Sequence, residues 1–488
     1  MNFLTPELML QLTMLVPVLA IAGIIATGRS ENIREAVSII ASLVVLYLVT
    51  GLYSHFKNGA VIEATWAEIL PGLSLAFRLD AMGMLFALIA SVLWLVTIFY
   101  AIGYMRSHHE QNQTRFYACF ALAIASVFGV AFASNLFTLF IFYEVLTLST
   151  YPLVTHAGTE EAKKGGRTYL GILLTTSIAF LLFAVLGTYA VSGTLEFTPG
   201  GVFPEGTSPV VGGALLALFV FGTGKAAIMP FHRWLPAAMV APTPVSALLH
   251  AVAVVKAGVF TLLKVGAFIF GLDFLSVLPT TDLLLYLAGA SVVIASLIAM
   301  RQDNLKKRLA YSTISQLSYI TAGMLLAVDA GIIGGAMHIA MHAFGKITLF
   351  FCAGAILVTL HKTNVSELRG TGWQMPVTMA AFMIGTLSII GLPPAGGAWS
   401  KWFLLQGALE ADKLVIAGVL LLSSLLNIAY LLVIPVLAFF PPTADGSSRL
   451  AIKEAPLPSL LALSFTALMC LLLFLFPQPL YELASSIL

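Results

Sequence analysis

The residues best placed to move protons lie inside long apolar runs. Glu144 stands at the centre of Phe140-Ile141-Phe142-Tyr143-Glu144-Val145-Leu146, whereas nearly all of the other carboxylates, among 22 in total, fall in polar stretches or at the ends of apolar ones. A charge at the middle of a membrane helix costs at least about 2.5 kcal/mol. A lone carboxylate there must therefore find a cation or take up a proton. Bases occur at similar depth: Lys225, Lys256, Lys346 and Lys401, with no arginine among them. The proton affinity of lysine responds to burial and to nearby charge, while arginine stays protonated, so this set suits proton transfer. Two plainer readings stay open: Glu144 in a purely structural ion pair, and Lys401 snorkelling from the end of its apolar run.

Histidines extend the set. In Ala336-Met337-His338-Ile339-Ala340-Met341-His342-Ala343-Phe344-Gly345-Lys346 the steps of four place His338, His342 and Lys346 in one stripe about 80° wide and about 12 Å long. Histidine exchanges protons near neutral pH, so the stripe is a candidate relay. A metal held by His338 and His342 is the alternative, but no carboxylate ligand lies near them. His250 precedes Lys256 by six residues, about 9 Å along a helix and about 120° around it, so the two can border one wet axis without touching.

Such residues need a membrane to position them. The chain is 59% hydrophobic and 9% charged, with a mean hydropathy of +0.99. A soluble domain carries roughly 25% charged residues, and about 20 apolar residues make one span. Apolar windows predict fourteen spans near 8–27, 35–53, 80–103, 115–133, 135–156, 168–191, 210–230, 243–267, 281–300, 308–328, 331–359, 375–398, 414–438 and 457–477, with a short helix at 399–412. The fold class is all-α polytopic membrane protein. Leu8 to Ala26, preceded by Glu7 and by no basic residue, reads as a retained first helix rather than a signal peptide. Loops after odd-numbered spans hold sixteen lysines and arginines against three in the other loops. Both termini are thus expected on the non-cytoplasmic side, with 54–79 and 192–209 as loops on that side.

Two spans look broken. One carries Gly222-Thr223-Gly224-Lys225 and reaches Pro230; the other carries Gly391-Leu392-Pro393-Pro394 before Lys401. Paired breaks in a transporter point to repeats and to its ion site. The breaks, in spans 7 and 12, lie five spans apart, which predicts two five-helix repeats, spans 4–8 and 9–13, inverted because five is odd. The chain then reads as one membrane domain: helices 1–3 over 1–113, a first repeat over 114–267, a second over 281–440 and a C-terminal helix in 441–488. The alternative is that Gly and Pro are simply common in membrane helices.

Other chemistries find no support. A net charge of +2 without basic tails points to no nucleic acid. Cys119, Cys352 and Cys470 lie far apart in apolar runs and read as small buried hydrophobes. Gly222-Thr223-Gly224-Lys225 resembles the end of a P-loop, but Phe219 and Ala226 replace its first glycine and its Ser/Thr. His109-Glu110 lacks the second histidine of a zincin. The sequons at Asn112 and Asn364 fall on the expected cytoplasmic side. Without a GxGxxG after a strand, neither NADH nor flavin is implicated, and no cofactor or metal is expected.

Several of these motifs together resemble the antiporter-like membrane subunits shared by respiratory complex I, membrane-bound hydrogenases and Mrp-type multisubunit cation/proton antiporters. The likeness covers roughly residues 80–440. It rests on Asn135-Leu136 with Phe142-Tyr143-Glu144, Gly224-Lys225 with Pro230-Phe231-His232-Arg233-Trp234-Leu235-Pro236, and Ala241-Pro242-Thr243-Pro244-Val245-Ser246-Ala247-Leu248-Leu249-His250. Lys256-Ala257-Gly258, Asp303-Asn304-Leu305-Lys306-Lys307-Arg308-Leu309-Ala310-Tyr311-Ser312 and Gly391-Leu392-Pro393-Pro394 continue it. The resemblance implies that Glu144 pairs with Lys225, and that Lys256 and His250 relay protons towards Lys401. His338, His342 and Lys346 match a polar patch of span 11 in some members. Length and Lys256-Ala257-Gly258-Val259 look like the D-type Mrp subunit; an N-type complex I or hydrogenase-linked subunit is the alternative. The resemblance implies a transporter subunit, not an enzyme, in a bacterial inner membrane. Its partners would be the lipid bilayer, other membrane subunits, protons and Na⁺. One charge crossing 100 mV is worth about 2.3 kcal/mol, so coupled ion movement can drive such a subunit.

Overall fold

Residues 4–70, 73–441 and 451–488 are described in a computed structural model of the protein. The architecture is a bundle of membrane-spanning helices, as the hydropathy requires. Eleven helices among the described residues are long and apolar enough to cross a bilayer: Pro6–Ala26, Glu31–Lys57, Ala81–Ser107, Gln113–Phe132, Leu136–Val154, Glu160–Ser192, Thr243–Phe270, Pro279–Arg301, Asp329–Leu360, Leu414–Ala438 and Leu457–Leu475. Three more complete the order at the expected places. Pro209–Gly222 and Pro376–Ile390 are short apolar helices, and Leu305–Leu325 is longer but rich in Ser, Thr and Gln. They are spans 7, 12 and 10 in chain order.

Packing sorts these spans by composition. Span 8, Thr243–Phe270, is enclosed along its whole length, and span 11, Asp329–Leu360, is nearly so. These two buried helices carry most of the bases. Spans 1, 2, 6, 13 and 14 expose large apolar side chains such as Leu19, Ile40, Phe183, Leu414 and Leu461. The apolar outside and polar inside invert the soluble pattern, as lipid contact demands.

The two breaks fall where glycine and proline predict them. Span 7 stops at Gly222 after 14 residues, about 21 Å, short of a hydrocarbon core of about 30 Å. The remainder is irregular, and its freed backbone is satisfied internally: the Lys225 N–H donates to the Tyr143 hydroxyl at 3.2 Å, and the Trp234 indole donates to the Gly224 carbonyl at 2.9 Å. Span 12 stops at Ile390, with Gly391 at φ +89°, and resumes as Gly397–Glu410. There the Gly396 N–H donates to the Cys470 carbonyl of span 14 at 2.8 Å. Spans 8 and 13 each contain a wide, π-type turn, over Leu248–Val252 and Ile428–Leu432.

Matching ends accompany the matching breaks. Asn135 caps span 5 by accepting from the Thr138 N–H, and Asn304 caps span 10 by accepting from the Lys307 N–H. Each asparagine also bridges to the loop after the following helix, at Glu196 and at Asn364. The same short motif thus opens the second helix of each five-span set.

One segment departs from the expected loop over 54–79. Span 2 runs on to Lys57, and two strands follow, β1 (Glu63–Leu70) and β2 (Leu73–Arg78), paired antiparallel from Glu63 opposite Arg78 to Leu70 opposite Leu73. The hairpin is fixed to the start of span 5, where the Ala76 N–H donates to Thr138 Oγ1 at 3.0 Å and the Asn135 amide donates to the Ser74 carbonyl at 3.0 Å.

Candidate functional site

The broken span 7 delivers Lys225 to span 5. Its ammonium donates to the Tyr143 carbonyl at 2.8 Å and to Thr147 Oγ1 at 2.6 Å, and lies 3.1 Å from the centre of the Tyr143 ring. Gly258 of span 8 makes this approach possible, because a Cβ there would stand 2.4 Å from the Lys225 carbonyl carbon. Glu144, next to Tyr143, does not form the implied pair: no ion pair within 4.0 Å joins it to Lys225 among the described residues. Its Oε1 is buried and unpartnered. Ile141 and Leu148, one turn to either side, are exposed, so Glu144 lies on an outward-facing stripe of span 5.

Span 8 meets span 11 at the centre. Lys256 Nζ lies 2.6 Å from His342 Nδ1, an amine and an imidazole sharing one hydrogen. If the amine is protonated it donates, and His342 must be neutral at Nδ1. The His338 ring follows at 5.8 Å. His338 Nε2 stands 3.1 Å from Gln316 Oε1, and with the amide in this orientation the nitrogen carries hydrogen. His338 Nδ1 is 2.8 Å from Ser400 Oγ, whose alternative acceptor is the Gly397 carbonyl at 3.2 Å. Neutral His338 takes the serine hydrogen; charged His338 donates, and the serine turns to Gly397. The next residue is Lys401.

Lys401 donates to the Ile390 carbonyl at 3.0 Å and to Ser424 Oγ at 3.2 Å, with its ammonium 4.7 Å from the Tyr319 ring centre. The Ile390 carbonyl ends a helix, where orphan acceptors and the negative end of the dipole favour a cation. The lysine borders a cavity of about 500 Å³, lined also by Leu392, Leu405 and Leu425. Lys346 branches from the axis, donating to Ser312 Oγ at 2.6 Å and to the Leu309 carbonyl at 3.3 Å. Tyr430 donates to the same serine at 3.0 Å. His250 is fully buried with both ring nitrogens unpartnered, its ring 4.5 Å from that of Phe350.

The structure brings Lys256 to His342 and His338 to Ser400, with the two imidazole rings 5.8 Å apart and Lys401 next to Ser400 in the chain. It sets Lys225 on span 5 and Lys346 on span 10, and leaves Glu144 Oε1 and both His250 nitrogens without hydrogen-bond partners among the described residues. No group of three metal-ligating residues occurs among the described residues. Taking an ammonium out of water costs several kcal/mol, and within 4.0 Å the four lysines meet only neutral acceptors.

Several polar members escaped the sequence reading. Thr147, Ser312, Gln316, Ser400 and Ser424 face the lysines and histidines, yet look like ordinary membrane-helix hydroxyls and amides. Their signal is spacing: Tyr143 and Thr147 stand eight and twelve residues after Asn135, as Ser312 and Gln316 do after Asn304. Lys264 also escaped. It is fully buried near the end of span 8 and pairs with Asp80 at 2.8 Å.

Comparison with known proteins places the chain in a family. Residues 133–427 match the family described as NADH:quinone oxidoreductase/Mrp antiporter, TM. The chain belongs to this family. Residues 66–117 match a second description, NADH-ubiquinone oxidoreductase (complex I), chain 5 N-terminus. Among relatives, the chain is similar to NADH-quinone oxidoreductase subunit N of Desulforudis audaxviator, 36% identical over 69% of this chain and 67% of that one. It is also similar to NAD(P)H-quinone oxidoreductase chain 5 of Synechocystis, 31% identical over 84% of this chain and 63% of that one. The chain thus spans about two thirds of the length of these two relatives. Two solved structures share the fold. One is a chain of the membrane-bound sulfane sulfur reductase, an archaeal respiratory membrane complex, with a TM-score of 0.86 and 24% identity over 98% of this chain and 96% of that chain. The other is a chain of the Mrp complex from Dietzia sp. DQ12-45-1b, with a TM-score of 0.80 and 22% identity over 98% and 97%. Family membership makes this an antiporter-like membrane subunit of the complex I and Mrp type.

Proposed function

We propose that the chain translocates protons along the axis Glu144, Lys225, Lys256, His342, His338 and Lys401, as one subunit of a multisubunit monovalent cation (Na⁺)/proton antiporter of the Mrp type. The observation that carries the reading is the 2.6 Å contact between Lys256 and His342, continued through His338 and Ser400 to the Lys401 helix. Each contact joins groups that can both gain and lose a proton, or a hydroxyl that can turn between two acceptors. Within 4.0 Å these lysines have no carboxylate among the described residues, so a change of charge at one is felt by the next. Glu144, unpartnered on an outward stripe, supports an adjoining membrane subunit at that face.

The cation antiporter is the finer step. It is supported by the fold shared with a chain of the Mrp complex and by Lys256-Ala257-Gly258-Val259, which looks like the D-type Mrp subunit. A redox-driven pump is the second reading, favoured by the names of the curated relatives and by the respiratory complex with the same fold. The two separate in one preparation. Membranes carrying a tagged chain are solubilised, the co-purifying subunits are identified by mass spectrometry, and everted vesicles are assayed for proton movement. Na⁺-driven proton movement without flavin or Fe–S subunits is the expected outcome; movement that starts only with a reductant overturns the antiporter assignment.

A further inference from the structure

Lys346 is the buried base that the relay described above leaves on a branch. Two groups of span 10 accept from it, the Leu309 carbonyl at 3.3 Å and Ser312 Oγ at 2.6 Å. A carbonyl can only accept, whereas a hydroxyl can also donate. Of the two, only Ser312 can serve Lys346 both with its proton and without it. The other titratable groups whose charges bear on Lys346 are bases: Lys256 and His250 of span 8, His342 of its own helix, and Lys401 beyond the break in span 12.

Ser312 is bonded in turn by span 13. The Tyr430 hydroxyl donates to Ser312 Oγ at 3.0 Å and also reaches Asn427 Oδ1. One hydroxyl hydrogen thus has two acceptors to choose between. Ser312, Asn427 and Tyr430 are all buried. Tyr430 is the third residue of the wide turn Ile428–Leu432, the place that His250 holds in the turn Leu248–Val252. Wide turns of this kind recur at functional sites. Arg308 pins this one, donating to the Tyr430 carbonyl at 3.2 Å and to the Gln302 carbonyl at 2.7 Å. With the amide in this orientation, Asn427 Nδ2 is buried without a partner. An orphaned donor costs stability, so packing alone does not account for an asparagine here.

We infer that Tyr430 and Asn427 are positioning residues that set, through Ser312, how tightly Lys346 holds a proton. When Lys346 is charged it donates to Ser312, and Tyr430 turns its hydrogen to Asn427. When Lys346 is neutral, Ser312 turns its own hydrogen to the amine and accepts from Tyr430. Donation by Tyr430 makes Ser312 the stronger donor and favours the neutral amine; the competing acceptor on Asn427 favours the charged one. Only N–H bonds form and break. Lys346 loses one as His342 Nε2 gains one, or the reverse, with water as the carrier. That nitrogen has no partner and belongs to the residue four positions back on the same face of span 11. The hydroxyls only turn, and no electron moves. The inference rests on the proposed relay and adds Lys346 to it beside the Lys256–His342 contact.

The test measures proton movement per assembled complex across pH, with the whole complex in everted vesicles. Lys346 must gain and lose a proton in turn, so the whole pH profile follows its hold on that proton. Tyr430→Phe removes the hydrogen that favours the neutral amine, and the profile is expected to move to higher pH. Asn427→Leu removes the competing acceptor and the orphaned amide, so the profile should move to lower pH with undiminished assembly. One hydrogen bond corresponds to a shift of about half a pH unit to one unit in each case. Ser312→Ala cuts the link, and adding Tyr430→Phe to it should move the profile no further. Profiles that stay in place, that move in the same direction, or that move equally with and without Ser312 overturn the switch, as does a loss confined to assembly. Should Tyr430→Phe fail to assemble, the direction of the Asn427→Leu shift decides. Lys256→Arg in the same vesicles separates the two claims. If it is inactive while both profiles stay in place, the switch alone fails; if it is fully active, the relay itself fails.

Discussion

Spans 4–8 and 9–13 carry the same framework with different charges. Both open their second helix with a capping asparagine tied to a distant loop, both break their fourth helix, and both place a wide turn in their fifth. Nine residues after the capping asparagine the first set has Glu144, whereas the second has Thr313, whose hydroxyl is spent on the Leu309 carbonyl. The lysines at the breaks differ too. Lys225 reaches across to span 5 and is fully enclosed; Lys401 bonds the end of the first half of span 12 and Ser424 of span 13, and borders a cavity. The backbone thus sets where a base can stand, while its neighbours decide whether it is fully enclosed or left beside open space.

The difference can be broken at either lysine. Lys225→Arg should cost the most, about a hundredfold or more in proton movement, because the guanidinium will not release its proton and the space above the Tyr143 ring is closed. Accumulation of the complex should fall with it. Lys264→Met tests an ion pair that ties the first set to span 3. Breaking a buried pair by removing one partner costs about 3–5 kcal/mol, so this variant should lose assembly, read by native gel, before it loses activity per complex. At the second break Lys401→Arg should cost about tenfold, with normal accumulation, because the cavity admits the larger head. Equal losses at Lys225 and Lys401 would erase the contrast. Gly391→Ala is expected to be milder, a few-fold loss, since it strains a backbone at φ +89° and sets a Cβ 2.6 Å from Lys401 Cδ.

The smallest effect concerns the loop tie of the second set. Asp303 accepts from the Ser366 N–H at 3.0 Å and from its hydroxyl at 2.7 Å, and these bonds hold its carboxyl below the usual carboxylate range. A depressed value stabilises the folded state above the unfolded pKa, and that stabilisation is lost as pH falls through the folded value. Solvent exposure reduces it to about a few tenths of a kcal/mol. Asp303→Asn should therefore lower thermal stability slightly at pH 7, and the difference should vanish as pH falls through the depressed folded value.

Much of this framework was legible in the sequence, because a membrane imposes periodic apolar runs and makes every buried charge conspicuous. Glu144, Lys225 and Lys256 stood out for that reason, and the stripe of His338, His342 and Lys346 followed from steps of four. What joined them was not legible. Lys256 and His342 come from helices far apart in the chain, and only packing brings them together. Lys264 lies near a span end, where a lysine reads as an anchor, and its partner Asp80 caps span 3, far away in the chain. The hairpin was missed although Pro71-Gly72 between two short runs is a turn signal. Short alternating strands are faint beside fourteen long apolar windows.

The central claim is that a proton passes between Lys256 and His342. Its most direct test is Lys256→Arg, assayed as proton movement per assembled complex in everted vesicles. Arginine keeps the positive charge and can still donate to His342 Nδ1, so a contact that merely holds spans 8 and 11 together would survive it. Near-complete loss of proton movement with normal assembly is the expected result. A wild-type rate would contradict the relay.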